Sequence, residues 1–319
     1  MQRLKTLCAL VLLISLAACS EDKMTLSEAD PALPDFDAAW NYGAPVKTRE
    51  AFTSILAEAG EGAPLAWILE LKTQIARTHS LVGEFDEAHA LLDTIEPALG
   101  NDMTRARISY FLERGRTHNS SGEKEKAKPL FIKAWELGEK AGEDFLAVDA
   151  AHMVAIAVVD GAEANRWNLI GLDRARQSED ERTRGWVGSL TNNMGWTAFD
   201  AGKLEEALAL FEESRDHFLQ RDLVDRARIA RWSIARVKRE QDMIDEALAL
   251  QLEIQAENEA AGTPDGYCFE ELGELYLLKS NREETARNFA RAHELLSQDN
   301  WLVRNEPERL ARMKELSGE

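Results

Sequence analysis

Leu190–Phe218, LTNNMGWTAFDAGKLEEALALFEESRDHF, decides the fold. Gly195 lies on one helical stretch and Ala207 follows twelve positions later on a second. Phe211 comes four residues after Ala207, and Gly202 sits between the two stretches as a helix stop. Two helices joined by so short a turn run antiparallel, and small residues at matched positions let their backbones approach closely. A helix pair of this kind cannot bury its apolar side alone, so the pattern should recur along the chain.

It does recur. Ala76 is followed after twelve positions by Ala88, Gly115 by Ala127, Ala235 by Ala247, and Gly273 by Thr285. Successive first members are separated by 39, 80, 40 and 38 residues. The gap of 80 requires one more unit near residue 155, where Ala155 and Trp167 stand at the right spacing. Gly83, Gly122 and Gly202 supply the turn inside three of the six units. The third unit is the irregular one. Trp167 occupies a position that close packing gives to Ala, and the turn Asp160-Gly161-Ala162 is atypical. Either the helices splay to admit the indole or the phase slips by a residue or two.

On these residues the chain resembles the tetratricopeptide repeat family, although Thr191 stands where the family usually has Trp and Ala198 where it has Tyr. The period exceeds the family's standard of about 34 residues. The surplus falls at the junctions Gly100-Asn101-Asp102, Gly142-Glu143-Asp144 and Gly262-Thr263-Pro264-Asp265, each a helix stop followed by an Asp placed to cap the next helix. The pattern is similar to the long-period repeats of bacterial signalling proteins. The resemblance implies an all-α, right-handed solenoid of six helix-turn-helix repeats over residues 69–299. Residues 36–68 and 300–319 form its caps: Val46–Glu58 opens the array, and Pro307, Leu310, Met313 and Leu316 mark the last helix.

Residues 1–18 read as a signal peptide: Arg3 and Lys5 precede a short apolar run that ends in Leu16-Ala17-Ala18-Cys19. That ending resembles the bacterial lipobox, which implies lipidation at Cys19, and Ser20 favours the outer membrane of a Gram-negative cell. Residues 19–35 are acidic, carry two prolines and read as a flexible tether. The expected location is therefore the cell envelope, lipid-anchored and facing the periplasm. Removing residues 1–18 takes the formal charge of the 319-residue chain from −19 to −21, which argues against a nucleic-acid partner. Cys268 is then the one cysteine besides Cys19, so neither an internal disulfide nor a cysteine-based zinc site is expected.

No catalytic constellation is present: there is no H-E-x-x-H, G-x-S-x-G, P-loop or G-x-G-x-x-G. His79 and His118 read as structural residues. Asp149 and His152 share a helix face but lack further ligands, so no metal and no cofactor is expected. In the resembling family the first helix of each repeat lines the concave groove. Carried onto this chain, that implies Arg77, Arg116, Asn119, His152, Asn192, Trp196, Phe199, Trp232, Arg236 and Arg239 as groove residues. Two readings of them stand side by side. The indoles and guanidiniums could hold a partner's carboxylates and apolar groups, or the tryptophans could fill gaps while the arginines pair with nearby Asp and Glu. The Lys-Asn-Arg clamp of chaperone-binding repeats is incomplete, since Ile229 and Ser233 stand where basic residues belong. The implied function is a non-enzymatic adaptor or scaffold that binds a protein or peptide, or alternatively a peptide or small-ligand sensor. An enzyme is the third and weakest reading.

Overall fold

The structure is a computed structural model that describes residues 33–60 and 62–318. The signal peptide, Cys19 and most of the tether lie outside the described residues. The described chain contains helices and turns without a strand, in repeated antiparallel pairs of the tetratricopeptide-like solenoid type. Among the described residues no helix is long and apolar enough to cross a membrane.

The chain divides into two compact units, with the boundary between Asn193 and Met194. The first unit opens with α1 (Pro45–Ala59). The pairs α2 (Leu65–Leu81) with α3 (Phe85–Ile95) and α4 (Thr104–Ser120) with α5 (Lys124–Ala141) follow. Then come α6 (Asp144–Ala157) with α7 (Gly161–Gln177), the short α8 (Glu181–Arg184) and the start of α9 (Trp186–Asp200). The second unit holds the rest of α9 with α10 (Leu204–Gln220), and α11 (Val224–Glu240) with α12 (Ile244–Ala260). It ends in α13 (Gly266–Leu278) with α14 (Arg282–Leu296), α15 (Asn300–Asn305) and α16 (Pro307–Ser317). Within each unit the first helices of successive pairs pack on one another, α2 on α4, α4 on α6 and α11 on α13, and so form the inner layer.

In five of the six pairs the turn has one backbone form regardless of the residue that adopts it. Gly83, Gly122 and Gly202 take positive φ there, and Asp242 and Ser280 take φ of 63° and 57° in the fifth and sixth pairs. The next residue but zero closes the turn by donating its N–H five residues back: Glu84 to His79 O at 3.0 Å, Lys203 to Ala198 O at 2.9 Å and Asn281 to Tyr276 O at 3.0 Å.

The contact between paired helices comes in two versions. In α4, α9 and α13 the small residue is Gly, and a fully buried Phe of the partner helix lies directly on it: Phe131 on Gly115, Phe211 on Gly195, Phe289 on Gly273. A Cβ at these glycines would stand only 2.5, 2.6 and 3.0 Å from the ring. Where the small residue is Ala, as at Ala76, Ala155 and Ala235, the facing position holds Leu92, Gly171 and Gln251 instead. Backbone approach and side-chain size are exchanged against each other, which keeps the interior at crystal-like density.

That exchange resolves the third pair. Trp167 takes the place of the usual Ala and Gly171 takes the place of the usual Phe, so volume moves one helical turn without a change of phase. A Cβ at Gly171 would meet Ala151 Cβ and Leu190 Cδ1 at 3.5 Å, while Trp167 packs edge-on to Trp135 at 6.1 Å. The turn between α6 and α7 has no left-handed residue. Val158 is extended, and Asp160 caps α7 by accepting from Ala162 N at 2.8 Å and Glu163 N at 2.9 Å.

The junction caps differ from expectation. Asp265 does cap α13, accepting from Tyr267 N at 2.9 Å. Asp102 and Asp144 do not cap: Met103 and Glu143 hold the cap positions without side-chain bonds. Asp144 lies one residue inside α6, where Arg174 Nε donates to its carboxylate at 2.8 Å. At the chain's end Leu310 and Met313 of α16 are buried, with Pro307 in the first turn.

Candidate functional site

Five of the ten candidate residues fall in the first unit (Arg77, Arg116, Asn119, His152, Asn192) and five in the second (Trp196, Phe199, Trp232, Arg236, Arg239). In the first unit a charge relay crosses the inner helices. Arg116 of α4 donates through Nη1 to Glu113 Oε1 at 2.5 Å and through Nη2 to both oxygens of Asp149 on α6, at 2.5 and 2.6 Å. Arg77 of α2 approaches Glu113 at 3.6 Å. Glu113 and Asp149 are both buried. Burial alone would raise the Asp149 carboxyl, but Arg116 and Arg77 outweigh it and hold it below the ordinary range. The same pairing raises Arg116 further above the ordinary arginine value, although burial works against its charge.

Next to this relay the groups become neutral. His152 is 1% exposed, and burial lowers its pKa to about 4, so the ring is uncharged near neutral pH. Asn193 Nδ2 donates to His152 Nδ1 at 3.2 Å, which places the ring proton on Nε2. That Nε2 is buried and has no partner; neither has Trp186 Nε1, whose ring lies 5.2 Å from the imidazole. Asn192 is 1% exposed and neither its Oδ1 nor its Nδ2 is paired. Asn119 is half-buried with an unpaired Oδ1.

In the second unit the aromatic groups are packed inward. Trp196 and Trp232 are buried, 5.8 Å apart, and Trp196 lies edge-on to Phe199 and Phe211. Trp232 Nε1 donates to Tyr267 O at 3.1 Å. The Arg236 guanidinium lies 5.3 to 5.8 Å from the rings of Trp232, Trp196 and Phe199, with Nε 3.4 Å from Glu271. Arg239 grips the same carboxylate at 2.6 and 3.2 Å. Burial pushes the Glu271 carboxyl up, while the two guanidiniums pull against that rise. Beyond them Arg309 of α16 clasps Glu270 at 2.7 and 2.5 Å, and Arg312 clasps Glu274.

The arginines of both units therefore bind acids on the neighbouring inner helix, and the tryptophans fill the spaces between. These side chains tie adjacent repeats together. Among the buried atoms left without a partner, those of His152, Trp186 and Asn192 belong to neutral side chains beside the relay, while Arg77 Nε, Glu113 Oε2, Arg236 Nε and Trp196 Nε1 are single unpaired atoms of groups otherwise engaged in the pairs and packing described. Sequence reasoning found His152 and Asn192 but missed Trp186, Glu113 and Glu271, because spacing does not reveal which acid an arginine chooses.

One group of metal-type side chains comes together among the described residues: His89, His118 and Glu123, with ligand atoms within 4.8 Å of one another. His118 Nδ1 meets Glu123 at 2.8 Å, and His79 meets Glu84 at 2.6 Å in the preceding repeat at the same spacing. Arg114 donates to His89 Nδ1 at 2.9 Å, which sets a cation beside the group. The recurrence at His79 marks the His–Glu pair as a device of the turn.

Comparison with known proteins agrees with the repeat architecture. Residues 187–216 match the family model described as tetratricopeptide repeat. No curated protein matches the sequence. Among solved structures the chain is similar to a signal-transduction ATPase with a tetratricopeptide repeat sensor from Pyrococcus horikoshii. That likeness has 14% identity and a TM-score of 0.65 over 89% of this chain, and it spans 44% of the ATPase. It is also similar to the apo form of RapI, with 13% identity and a TM-score of 0.67 over 87% of this chain and 79% of RapI. A third is NprR in complex with its cognate peptide NprX, with 12% identity and a TM-score of 0.57 over 85% of this chain and 78% of NprR. At such identities the likeness is one of fold.

Proposed function

We propose that the protein is a non-enzymatic binding module of the cell envelope that holds an extended peptide segment of a partner protein against the inner helices of its first unit. The observation that carries this reading is the set of buried, unpaired polar atoms on His152, Trp186 and Asn192. Buried polar groups are almost always paired, and each unpaired one costs about 1–3 kcal/mol. A carboxamide offers one donor side and one acceptor side, the complement of a peptide unit. The lipid anchor at Cys19 and a periplasmic, outer-membrane location are part of the same proposal, supported by the order of residues 1–20.

Crosslinking in intact envelopes followed by mass spectrometry tests the binding role. The wild type should recover one specific chain, and Asn192→Leu should lose it while keeping or raising the melting temperature, because the replaced amide has no partner to lose. Recovery of nothing specific by the wild type would remove the proposal. Cys19→Ser should release the protein into the soluble periplasm, and unchanged membrane association would contradict the anchor. The similarity to NprR, solved with its cognate peptide, favours a second reading as a peptide sensor. That reading requires peptide-dependent thermal stabilisation of the purified protein, and a flat melting temperature across envelope peptides counts against it.

A further inference from the structure

We propose that residues 35–42, Asp35-Phe36-Asp37-Ala38-Ala39-Trp40-Asn41-Tyr42, are a resident occupant of the first unit's inner face. A partner would then present the same chemistry, an acidic residue followed by aromatic ones. This rests on the binding role proposed above and adds the kind of segment bound and the means by which it is kept out.

The segment belongs to no helix pair, and its regular structure is a single 3-10 turn at Asp37–Ala39. Part of it is an ordinary cap: Phe36 and Trp40 are buried against Phe52 of α1 and Trp67 of α2. A cap needs nothing beyond those two helices, yet the segment reaches much further. Asp37 Oδ2 accepts from Arg182 Nη1 at 2.8 Å, across 145 residues of sequence, and Arg182 lies on α8 at the far end of the unit. The charge of Asp37 also acts on Glu70 of α2 and Arg105 of α4. Arg105 in turn joins Glu70 at 3.2 Å to Glu143 at 2.6 Å.

The other end of the segment meets the opposite ends of the same inner helices. Trp40 and Tyr42 stack at 4.5 Å with 3° between their planes, and the Arg77 guanidinium lies 5.4 and 5.1 Å from the two rings. Arg77 in turn approaches Glu113 at 3.6 Å, the acid that Arg116 also binds, so the stacked rings sit beside the relay that leads to Asp149. From Glu70 to Arg77 the helix rises about 10 Å, and the five steps from Asp37 to Tyr42 span at most about 17 Å. The segment therefore runs along the inner helices, fixed by its acid at one end and its stacked rings at the other. An intramolecular competitor of this kind acts at an effective concentration of about millimolar.

The test uses the full chain and a fluorescein-labelled peptide of residues 33–44, LPDFDAAWNYGA, followed by fluorescence anisotropy. Asp37→Ala with Tyr42→Ala in the protein removes the acid bound by Arg182 and one of the two stacked rings, so that the resident segment competes less well for its place with an added peptide that keeps both. This variant should bind the peptide about tenfold or more tightly than the wild type does, and a peptide carrying Asp37→Ala should bind it about tenfold less. Equal binding by both proteins, or binding by neither, overturns the proposal. Hydrogen exchange supplies a second measurement on Asp37→Asn, which removes the charge that Arg182 binds while leaving Arg182 on the Phe145 ring. Amides of residues 36–42 should exchange faster while those of α4 are unchanged, and unaltered exchange overturns the latch. The two proposals fail separately. Equal envelope capture by the wild type and the loosened variant keeps the binding role and removes the resident segment. Peptide binding without any envelope capture does the reverse.

Discussion

Gly195→Ala asks whether the close contact between paired helices is as tight as the geometry indicates. The new Cβ would stand 2.6, 2.8 and 3.0 Å from three ring atoms of Phe211, against the 3.4–4 Å of an ordinary contact. Phe211 is fully buried and lies edge-on to Trp196, so the ring cannot retreat without moving the indole. Overpacking of this kind costs about 1–3 kcal/mol, and the better helix propensity of Ala returns at most about 1 kcal/mol. With three ring atoms at or inside 3.0 Å the cost falls in the upper part of that range, about 2–3 kcal/mol, and the net expectation is a loss of about 1–2 kcal/mol, read from the urea midpoint at an unchanged slope. The first pair suggests the remedy, since Ala76 there faces Leu92 in one buried cluster. Phe211→Leu alone should destabilise by leaving space over Gly195. Combined with Gly195→Ala, it should recover at least about 1 kcal/mol relative to the sum of the single effects. A neutral or stabilising Gly195→Ala, or strict additivity of the two changes, would refute the reasoning.

Three further expectations come from the buried charges and the buried thiol. His152 has a folded pKa lowered to about 4, so folding favours its neutral form; that contribution is complete above the unfolded value near 6.5 and is lost as pH falls from there toward 4. The wild-type unfolding free energy should therefore drop through this window, by at most about 3 kcal/mol from this group, and His152→Gln should flatten the profile. Arg116→Ala leaves Asp149 buried without the guanidinium that grips it and Glu113 with only the more distant Arg77, and should cost about 3–5 kcal/mol in chemical denaturation, whereas Arg116→Met with Asp149→Leu should recover much of it. Burial pushes the Cys268 thiol up to about 12, so peptide mapping after iodoacetamide treatment at pH 8 should find Cys268 unmodified in the folded protein and alkylated in urea.

The fold was legible in the sequence because pairing of adjacent helices is a local problem. Gly195, Ala207 and Phe211 all act within one turn-linked pair, and the twelve-residue spacing records that geometry directly. The third pair was readable in phase but not in mechanism: Trp167 drew attention, while its compensating Gly171 looked like any other glycine. The junction aspartates show a finer limit. Asp144 and Asp265 follow similar helix stops, yet a one-residue difference in where the helix begins decides which one caps. The inner residues were located by repeat position, but their states were not. Arg116 could reach Glu113, Asp149 or solvent from the same position, and only the packing of α4 on α6 selects the acids. Least visible of all was the contact of Asp37 with Arg182, which no periodicity can signal because each residue stands outside the repeats.

The arginine pairs of the inner helices also divide the protein's charge into two populations. Many cations are spent inside, on Glu113, Asp149, Glu270 and Glu271, whereas acids such as Glu205 and Glu206 stand exposed on the outer helices. At physiological ionic strength, screening acts over about 8 Å and reaches exposed charges far more than buried ones. Added salt should thus quiet the mutual repulsion of the outer acids while leaving the inner pairs nearly untouched. A chain rich in ion pairs would then be one that salt makes steadier, because the charges that hold it together are not the charges that salt can find.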